Sequence, residues 1–449
     1  MGVTAVRERL IARSTGARYG LFLGLGGVLA VAGLILFLSA ISGDRADRAW
    51  QLFHVNWVYF TGLCAGSIAF AAVHKITKAR WSGLVIRFAE AASSFMVVLL
   101  IAFVLIFTVG YHHIYPEMEG LSHGKALWLS HDFMFWRLLV GQLVMYWVGY
   151  QLIKADIIPD MFEARGTVNG SRRNLFDRWI GGFDGSPAVR DAHDARIFRL
   201  APIFVVIYAI VMTLVAFDGI MALQPHWFSN LLGGFYFMGS FLGAHTLLAQ
   251  TMLYGRNELD IADLVSPKQR HDLGKLSFGF TVFWAYLMFA QFLVIWYGNL
   301  PEETGFVFAR LWGAWLPVGR AVFLGMFVIP FVGLLGVLPK KSPALLSLFT
   351  GISLVALWLE RYLLIVPSVT GEDGPVFGLP ELGPTLLFVG LFLVCYALFA
   401  RTFPMVSPRL AEITIDGERG HAHTGEFLHE EGPEDYIPAA AMERRHGNR

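Results

Sequence analysis

Several ionisable side chains lie inside long apolar segments, where each charge costs about 2.5 to 3.5 kcal/mol. His245 is the histidine placed deepest in such a segment, and an imidazole exchanges protons near physiological pH. Glu90 and Lys275 lie toward one end of the segments, and Asp218 and Glu360 lie toward the other. The pattern predicts an inner proton half-path through Glu90, His245 and Lys275, and an outer one through Asp218 and Glu360.

Arg361, adjacent to Glu360, and Tyr286, in the gap between the half-paths, complete the candidate set. A structural interpretation of the same residues stays open. Glu90 would pair with Arg87 on one helix face, and Glu360 with a neighbouring arginine. His245 would then be a buried histidine bonded to a backbone carbonyl.

Composition excludes several other kinds of chemistry. Cys64 and Cys395 are too few for a disulfide framework, a structural zinc site or a four-thiolate iron–sulfur cluster. A bis-histidine haem lacks paired axial ligands deep in facing helices. A formal charge of +1 gives no basic face for nucleic acid. Neither a catalytic residue nor a bound metal is predicted. Four histidines form an outer group that would bind zinc or hydrogen bond within a loop: His112, His113, His123 and His131.

The elements that position these residues are predicted to be membrane-spanning helices. The chain is 55% apolar and 15% charged, with a mean hydropathy of +0.55, which is typical of an all-α integral membrane protein. A span needs about 20 apolar residues. Ten segments meet this length: near 19–41, 52–74, 84–110, 132–154, 200–222, 229–254, 276–297, 317–338, 343–366 and 383–404.

Three segments are predicted to lie outside the membrane: an N-terminal arm at 1–18, a loop at 155–199 and an acidic, flexible tail at 406–449, flanking and interrupting a transmembrane domain at 19–405. The arm, the tail and every second loop together hold 28 of the 35 Lys and Arg residues. Because cytoplasmic loops retain positive charge, both termini are predicted to be cytoplasmic. Gly62 and Gly66 in the second span predict close helix packing.

Several stretches resemble one membrane subunit of bacterial alternative complex III. The first is the run 217–229, FDGIMALQPHWFS. The more specific one extends from His271 to Glu303, with FWAY, QFL and WYGNLPEE at fixed spacing. Tyr115-Pro116 and Glu360-Arg361 followed by Pro367 are further matches. The resemblance covers about residues 20–405.

The resemblance implies the smaller of two polysulfide-reductase-type polytopic subunits, with two four-helix bundles plus two further helices. Such a complex in the bacterial inner membrane oxidises quinol and passes electrons to a cytochrome c, another carrier or an oxidase. The implied partners are the sister polytopic subunit, outer-face iron–sulfur and cytochrome c subunits, lipids and a terminal oxidase. Haem c and iron–sulfur clusters would reside in those partners, and quinone or quinol is the small molecule expected near this chain.

The expected function is therefore that of a non-redox subunit contributing quinone contact, proton translocation and assembly, without catalysis of its own. A free-standing secondary transporter would favour interrupted helices around a midplane site, and Pro330 is the main interruption. A passive anchor for a molybdenum or iron–sulfur oxidoreductase is the third class.

Overall fold

The computed structural model describes residues 3–79, 81–116, 120–370 and 374–411. Within these ranges the chain is helical, with no β-strand. Its α-helices are α1 (Val3–Ser14), α2 (Gly20–Ile41), α3 (Ala46–Ile76), α4 (Ile86–Glu90), α5 (Met96–Leu105), α6 (Tyr111–Ile114), α7 (His123–Trp128), α8 (His131–Ala164), α9 (Gly170–Ile180), α10 (Pro187–Gly219), α11 (Leu232–Glu258), α12 (Pro267–Gly298), α13 (Pro301–Leu311), α14 (Leu316–Phe323), α15 (Ile329–Gly333), α16 (Val337–Lys341), α17 (Pro343–Thr370) and α18 (Leu379–Thr402).

Two of the long helical rods are built from consecutive segments. A 3₁₀ turn, Ala91–Phe95, joins α4 to α5, and a π-helical turn, Ile106–Gly110, joins α5 to α6. A second π-helical turn, Leu324–Val328, joins α14 to α15. Such turns keep the helical segment continuous, but they rotate the side chains of one half relative to those of the other half.

Eight helical segments in the described ranges are long and apolar enough to cross a membrane, so the chain is a multi-pass membrane protein. They are Gly20–Ile41, Ala46–Ile76, Ile86–Ile114, Pro187–Leu223, Pro267–Gly298, Gly313–Gly333, Pro343–Thr370 and Leu379–Thr402. The predicted spans near 132–154 and 229–254 fall in α8 and α11, which are helical but more polar. Arg137 and Gln142 in α8, and His245 in α11, reduce their apolar character.

The segment at 155–199, predicted to be an extramembrane loop, contains helices. Much of it is helical, because α8 continues to Ala164, α9 covers Gly170–Ile180 and α10 begins at Pro187. Polar composition excludes this stretch from lipid but does not prevent a helix. The N-terminal arm likewise contains α1. Most of the predicted tail, from residue 412 onward, lies outside the described residues.

The helix α3 lies at the centre of the fold and packs against α10, α11, α17 and α18. Its contact with α11 depends on the two glycines that the sequence singled out. A Cβ on Gly62 would lie 2.5 Å from Ser240 Oγ, and one on Gly66 would lie 2.5 Å from the Ser240 carbonyl oxygen. The prediction of close packing at these glycines is confirmed.

The helices α2 and α18 form a second close pair, although they come from opposite ends of the chain. A Cβ on Gly33 would lie 2.2 Å from the backbone nitrogen of Leu387, and one on Gly390 would lie 2.3 Å from that of Ala30. Backbone meets backbone at these points, so only glycine fits.

Candidate functional site

A buried ionic cluster surrounds Arg87 of α4. Its Nη1 contacts the carboxylate of Glu90 and lies 3.2 Å from Asp156 Oδ2. Its Nη2 lies 2.5 Å from Asp160 Oδ2. All four residues are buried, and the two aspartates share one face of α8 because they are four residues apart. One guanidinium therefore contacts three carboxylates, and we call these four residues, together with Lys75, the inner cluster.

Lys75, at the end of α3, adds a second cation, with Nζ 2.5 Å from Asp156 Oδ1. Burial opposes ionisation of Asp156, but Lys75 and Arg87 together lower its pKa. Within the inner cluster, Asp160 pairs with Arg87 and not with Lys75, and burial raises the pKa of Asp160 to about 6. With two cations among three carboxylates, the inner cluster has room for one exchangeable proton.

The segment after α18 covers this cluster. Ser407 Oγ donates a 2.7 Å hydrogen bond to Asp160 Oδ1, and Arg409 Nη1 lies 2.9 Å from Asp194 Oδ2 on α10. A cavity of about 400 Å³ lies beside it, with Lys75, Asp156 and Arg409 in its lining. We call it the polar cavity; it is large enough for water molecules and lies at the edge of the inner cluster.

His245 lies on α11, away from the inner cluster. Its Nδ1 is 2.7 Å from the Phe241 carbonyl oxygen, while its buried Nε2 has no hydrogen-bond partner within the described ranges. The Phe70 ring is 5.0 Å from His245 and 3.9 Å from His74, centroid to centroid. His74 also lines the polar cavity. An aromatic side chain thus separates His245 from the polar cavity.

Two predicted residues are placed contrary to expectation. Lys275 is 56% exposed and pairs with Asp272 at 2.8 Å, rather than lying buried near Glu90. Ser266 caps α12 through a 3.1 Å bond from the Gln269 backbone nitrogen, so this helix begins well before the apolar segment and carries Lys275 outside it. Tyr286 is 61% exposed and does not fill the interior gap.

The predicted outer residue Asp218 forms a second buried ion pair. Arg137 Nε and Nη2 donate to its two carboxylate oxygens at 3.0 and 2.7 Å. Arg137 also lies 3.8 Å over the Trp128 ring. Tyr115 donates to the Asp218 carbonyl oxygen at 3.0 Å, and His54 Nε2 lies 2.7 Å from the next carbonyl oxygen, that of Gly219. These residues are the outer cluster.

Next to the outer cluster, α3 carries a row of buried polar side-chain atoms that lack hydrogen-bond partners in the described ranges. These atoms are His54 Nδ1, Trp57 Nε1 and Thr61 Oγ1. Residues spaced three and four apart share one helix face. In proteins, buried polar groups of this kind are commonly satisfied by ordered water. We call His54, Trp57 and Thr61 the polar stripe. Their spacing of three and four residues within an apolar helix is the sequence signal that could have identified it.

Glu360 and Arg361, both predicted, lie in the other half of the molecule on α17. Arg361 Nη1 is 2.7 Å from Glu360 Oε2, and its ring-facing guanidinium lies 4.5 Å over Tyr236. Glu360 also faces a cavity of about 430 Å³ between α12, α13, α14 and α17, which we call the outer cavity. Asp218 belongs to a different group of contacts, so the two members of the outer half-path are not in one cluster.

The outer histidines do not converge. His113 Nδ1 lies 2.5 Å from Asp47 Oδ1, whereas His131 Nε2 lies 2.8 Å from the Phe107 carbonyl oxygen. In the described parts of the chain, no three His, Cys, Asp or Glu side chains are arranged so that they could hold a metal ion. The hydrogen-bonding interpretation therefore accounts for the two histidines whose contacts are seen.

No protein-family model matches the chain, and no curated protein is significantly similar to it.

Proposed function

We propose that the chain is a non-redox subunit of a quinol-oxidising complex of the alternative complex III type and that it moves protons. The observation that carries this proposal is the presence of buried ionic clusters toward the two ends of one helix. His54 and Lys75 mark these clusters and lie about 31 Å apart along α3 at about 1.5 Å per residue. This distance is close to the roughly 30 Å hydrocarbon thickness of a bilayer.

The inner half-path begins at the polar cavity and reaches Glu90 through the inner cluster. The outer half-path begins at Asp218 and continues along the polar stripe of His54, Trp57 and Thr61. A polar chain that ends inside the protein allows protons to enter from one side without an open leak. Lys275 and Tyr286 are left out of this revised route because their side chains are exposed.

The finer topology belongs to the same proposal: ten spans, both termini in the cytoplasm, two four-helix bundles and the flanking pair α2 and α18. In the proposed division, α3 packs with α10 in one bundle, α11 packs with α12 and α17 in the other, and the two bundles meet where α3 packs against α11. The membrane would be the bacterial inner membrane. The partners would be the sister polytopic subunit, lipids, the outer iron–sulfur and cytochrome c subunits, and a terminal oxidase.

Quinone contact is supported by a groove of about 610 Å³ between α5, α8 and α18. Trp147, Tyr150 and Trp179 lie in its wall, and Ser93 and Tyr146 add hydroxyl groups. Aromatic walls with few polar groups suit a planar, apolar ring. Haem c and iron–sulfur clusters would be held by partner subunits, and this chain would have no catalysis of its own.

The test is proton translocation per quinol oxidised, measured in proteoliposomes that contain the whole complex. Glu90→Gln should lower proton yield more than quinol turnover, because it interrupts the inner route without touching a redox centre. His245→Ala tests whether that route continues past Phe70 to His245. Glu302→Gln, at an exposed outer acid, is the matched control. If both variants assemble fully and retain wild-type turnover and proton yield, the inner route is wrong.

A secondary transporter is the alternative with a structural observation in its favour. The span Gly313–Gly333 is interrupted by the π-helical turn Leu324–Val328, next to Phe323 in the lining of the outer cavity, and broken helices are common at transporter sites. Purification separates these functions. Co-elution with haem c and iron–sulfur subunits supports the proposed complex, co-elution with a molybdenum enzyme supports a passive anchor, and elution alone supports a transporter.

A further inference from the structure

The outer cavity contains a buried arginine that has no counter-ion among the described residues. Arg310 of α13 is 4% exposed, and it forms no salt bridge with any carboxylate in the described chain. Its Nη atoms donate to neutral oxygens: the carbonyls of Phe306 and Leu364 at 2.8 and 2.7 Å, and Ser368 Oγ at 2.6 Å. Its buried Nε has no hydrogen-bond partner in the part of the chain that the structure describes. A buried charge left in this state is costly unless an anion approaches.

A second arginine lines the same cavity. Arg320 on α14 is exposed and lies within the span Gly313–Gly333, and no carboxylate in the described ranges pairs with it. The acid in the lining, Glu360, already pairs with Arg361. The cavity therefore has two arginines whose charge nothing in the described chain balances.

The rest of the cavity is apolar and opens at the lipid-facing surface. Its walls include Trp284, Ile295 and Val322, all buried. Its edge includes Leu311 and Phe323, which are 36% and 40% exposed. An occupant can thus enter sideways from the membrane and place apolar chains against these walls.

We propose that the outer cavity binds an anionic phospholipid. One phosphate oxygen would accept from Arg310 Nε and another from the Arg320 guanidinium, while an acyl chain covers the apolar walls. Arginine suits this task because guanidinium binds phosphate with directed, charge-assisted hydrogen bonds. The site would join this subunit to the lipid around it, whether or not the chain moves protons.

The test is native mass spectrometry of the purified full-length chain in detergent, with phosphatidylglycerol or phosphatidylcholine added. The wild type should retain one phosphatidylglycerol and release phosphatidylcholine. Arg320→Gln and Arg310→Gln should each weaken phosphatidylglycerol retention about tenfold, since each removes a hydrogen bond between charged groups. Arg320 is exposed, so its variant keeps the test valid if the Arg310 variant fails to fold.

Lys125→Gln is the matched control, because Lys125 is a basic residue outside the cavity lining. Equal retention of phosphatidylglycerol by the two arginine variants and this control would overturn the proposal. Equal retention of phosphatidylcholine by the wild type would show that the cavity selects acyl chains and not charge. A wild-type chain that retains no phosphatidylglycerol would overturn the proposal as well.

Discussion

Two buried arginines, one in each half of the molecule, have opposite surroundings. Arg87 contacts the carboxylates of Glu90, Asp156 and Asp160. Arg310 is equally enclosed but donates to two backbone carbonyls and one hydroxyl. The first site holds more carboxylates than cations, whereas no carboxylate in the described parts of the chain forms a salt bridge with Arg310.

The difference separates two uses of a buried charge. A cation among excess carboxylates leaves room for a proton within the chain, which supports a proton-exchange role for the inner cluster. A buried cation without a paired carboxylate needs a counter-ion, which a ligand or a partner protein would supply. The same residue type therefore suggests proton transfer in one half and lipid binding in the other.

The largest effect is expected when the centre of the inner cluster is removed. Arg87→Met leaves three buried carboxylates without their shared cation, and the free energy of unfolding should fall by about 3 to 5 kcal/mol. Denaturant unfolding in mild detergent measures this loss. Arg165→Met is the control, because Arg165 pairs with Asp177 on the exposed surface. A loss no larger than in the control would mean that the cluster does not stabilise the fold.

The sequence predicted part of this cluster and missed the rest for a physical reason. The pairing of Glu90 with Arg87 was visible because three residues along a helix bring side chains together. Asp156 and Asp160 were assigned to a loop, although their four-residue spacing places them on one helix face. Their contact with Arg87 joins residues about 70 positions apart, and only tertiary packing determines such a pair.

The spans were more predictable than the sites. All eight apolar segments identified in the structure coincide with predicted spans, because hydrophobic length alone specifies them. Burial of a particular polar side chain depends on which face meets another helix. The sequence therefore placed His245 and Asp218 in the interior correctly but also placed Lys275 and Tyr286 there, where the structure shows exposed side chains.

The next effect is a pH dependence of stability that arises at Asp160 of the inner cluster. Burial raises the pKa of Asp160 to about 6 in the folded chain, against about 3.9 when unfolded. At Asp160 the folded state then binds more protons than the unfolded state between these values, so the stability that Asp160 contributes is fully present below about pH 4 and is lost as pH rises through 6. A shift of about two units corresponds to about 3 kcal/mol.

Asp160→Asn should remove this dependence. The measurement is the unfolding free energy of wild type minus that of Asp160→Asn, followed from pH 4 to pH 7, because other titrating groups cancel in the difference. The difference should decrease as pH rises. A difference that increases with pH would mean that Arg87 keeps Asp160 ionised throughout and that the exchangeable proton lies elsewhere.

A smaller effect is expected at the segment covering the inner cluster. Ser407→Ala removes a hydrogen bond to the ionised form of Asp160, so it should cost about 1.5 kcal/mol at pH 7 and raise the pKa of Asp160 further. Ser42→Ala, at an exposed serine bonded to the Leu38 carbonyl, is the control. Unfolding curves at pH 5 and pH 7 test both parts. An equal cost at the two pH values would contradict the link to Asp160.

The smallest effect is expected at Arg310, where the comparison with Arg87 is most direct. Replacing a buried charge that lacks a counter-ion by an apolar side chain of similar length removes a desolvation cost along with its hydrogen bonds. Arg310→Met should therefore change the free energy of unfolding by no more than about 1 kcal/mol in lipid-free detergent. Unfolding is measured beside Arg87→Met under identical conditions.

Added phosphatidylglycerol completes the comparison. It should stabilise the wild type and leave Arg310→Met unchanged, because a ligand stabilises only the folded state that binds it. Arg87→Met, where it folds, should keep the wild-type response, since its outer cavity is intact. If Arg310→Met is as destabilised as Arg87→Met without lipid, the carbonyl and hydroxyl contacts of Arg310 compensate its charge fully. The contrast between the two arginines would then not depend on their counter-ions.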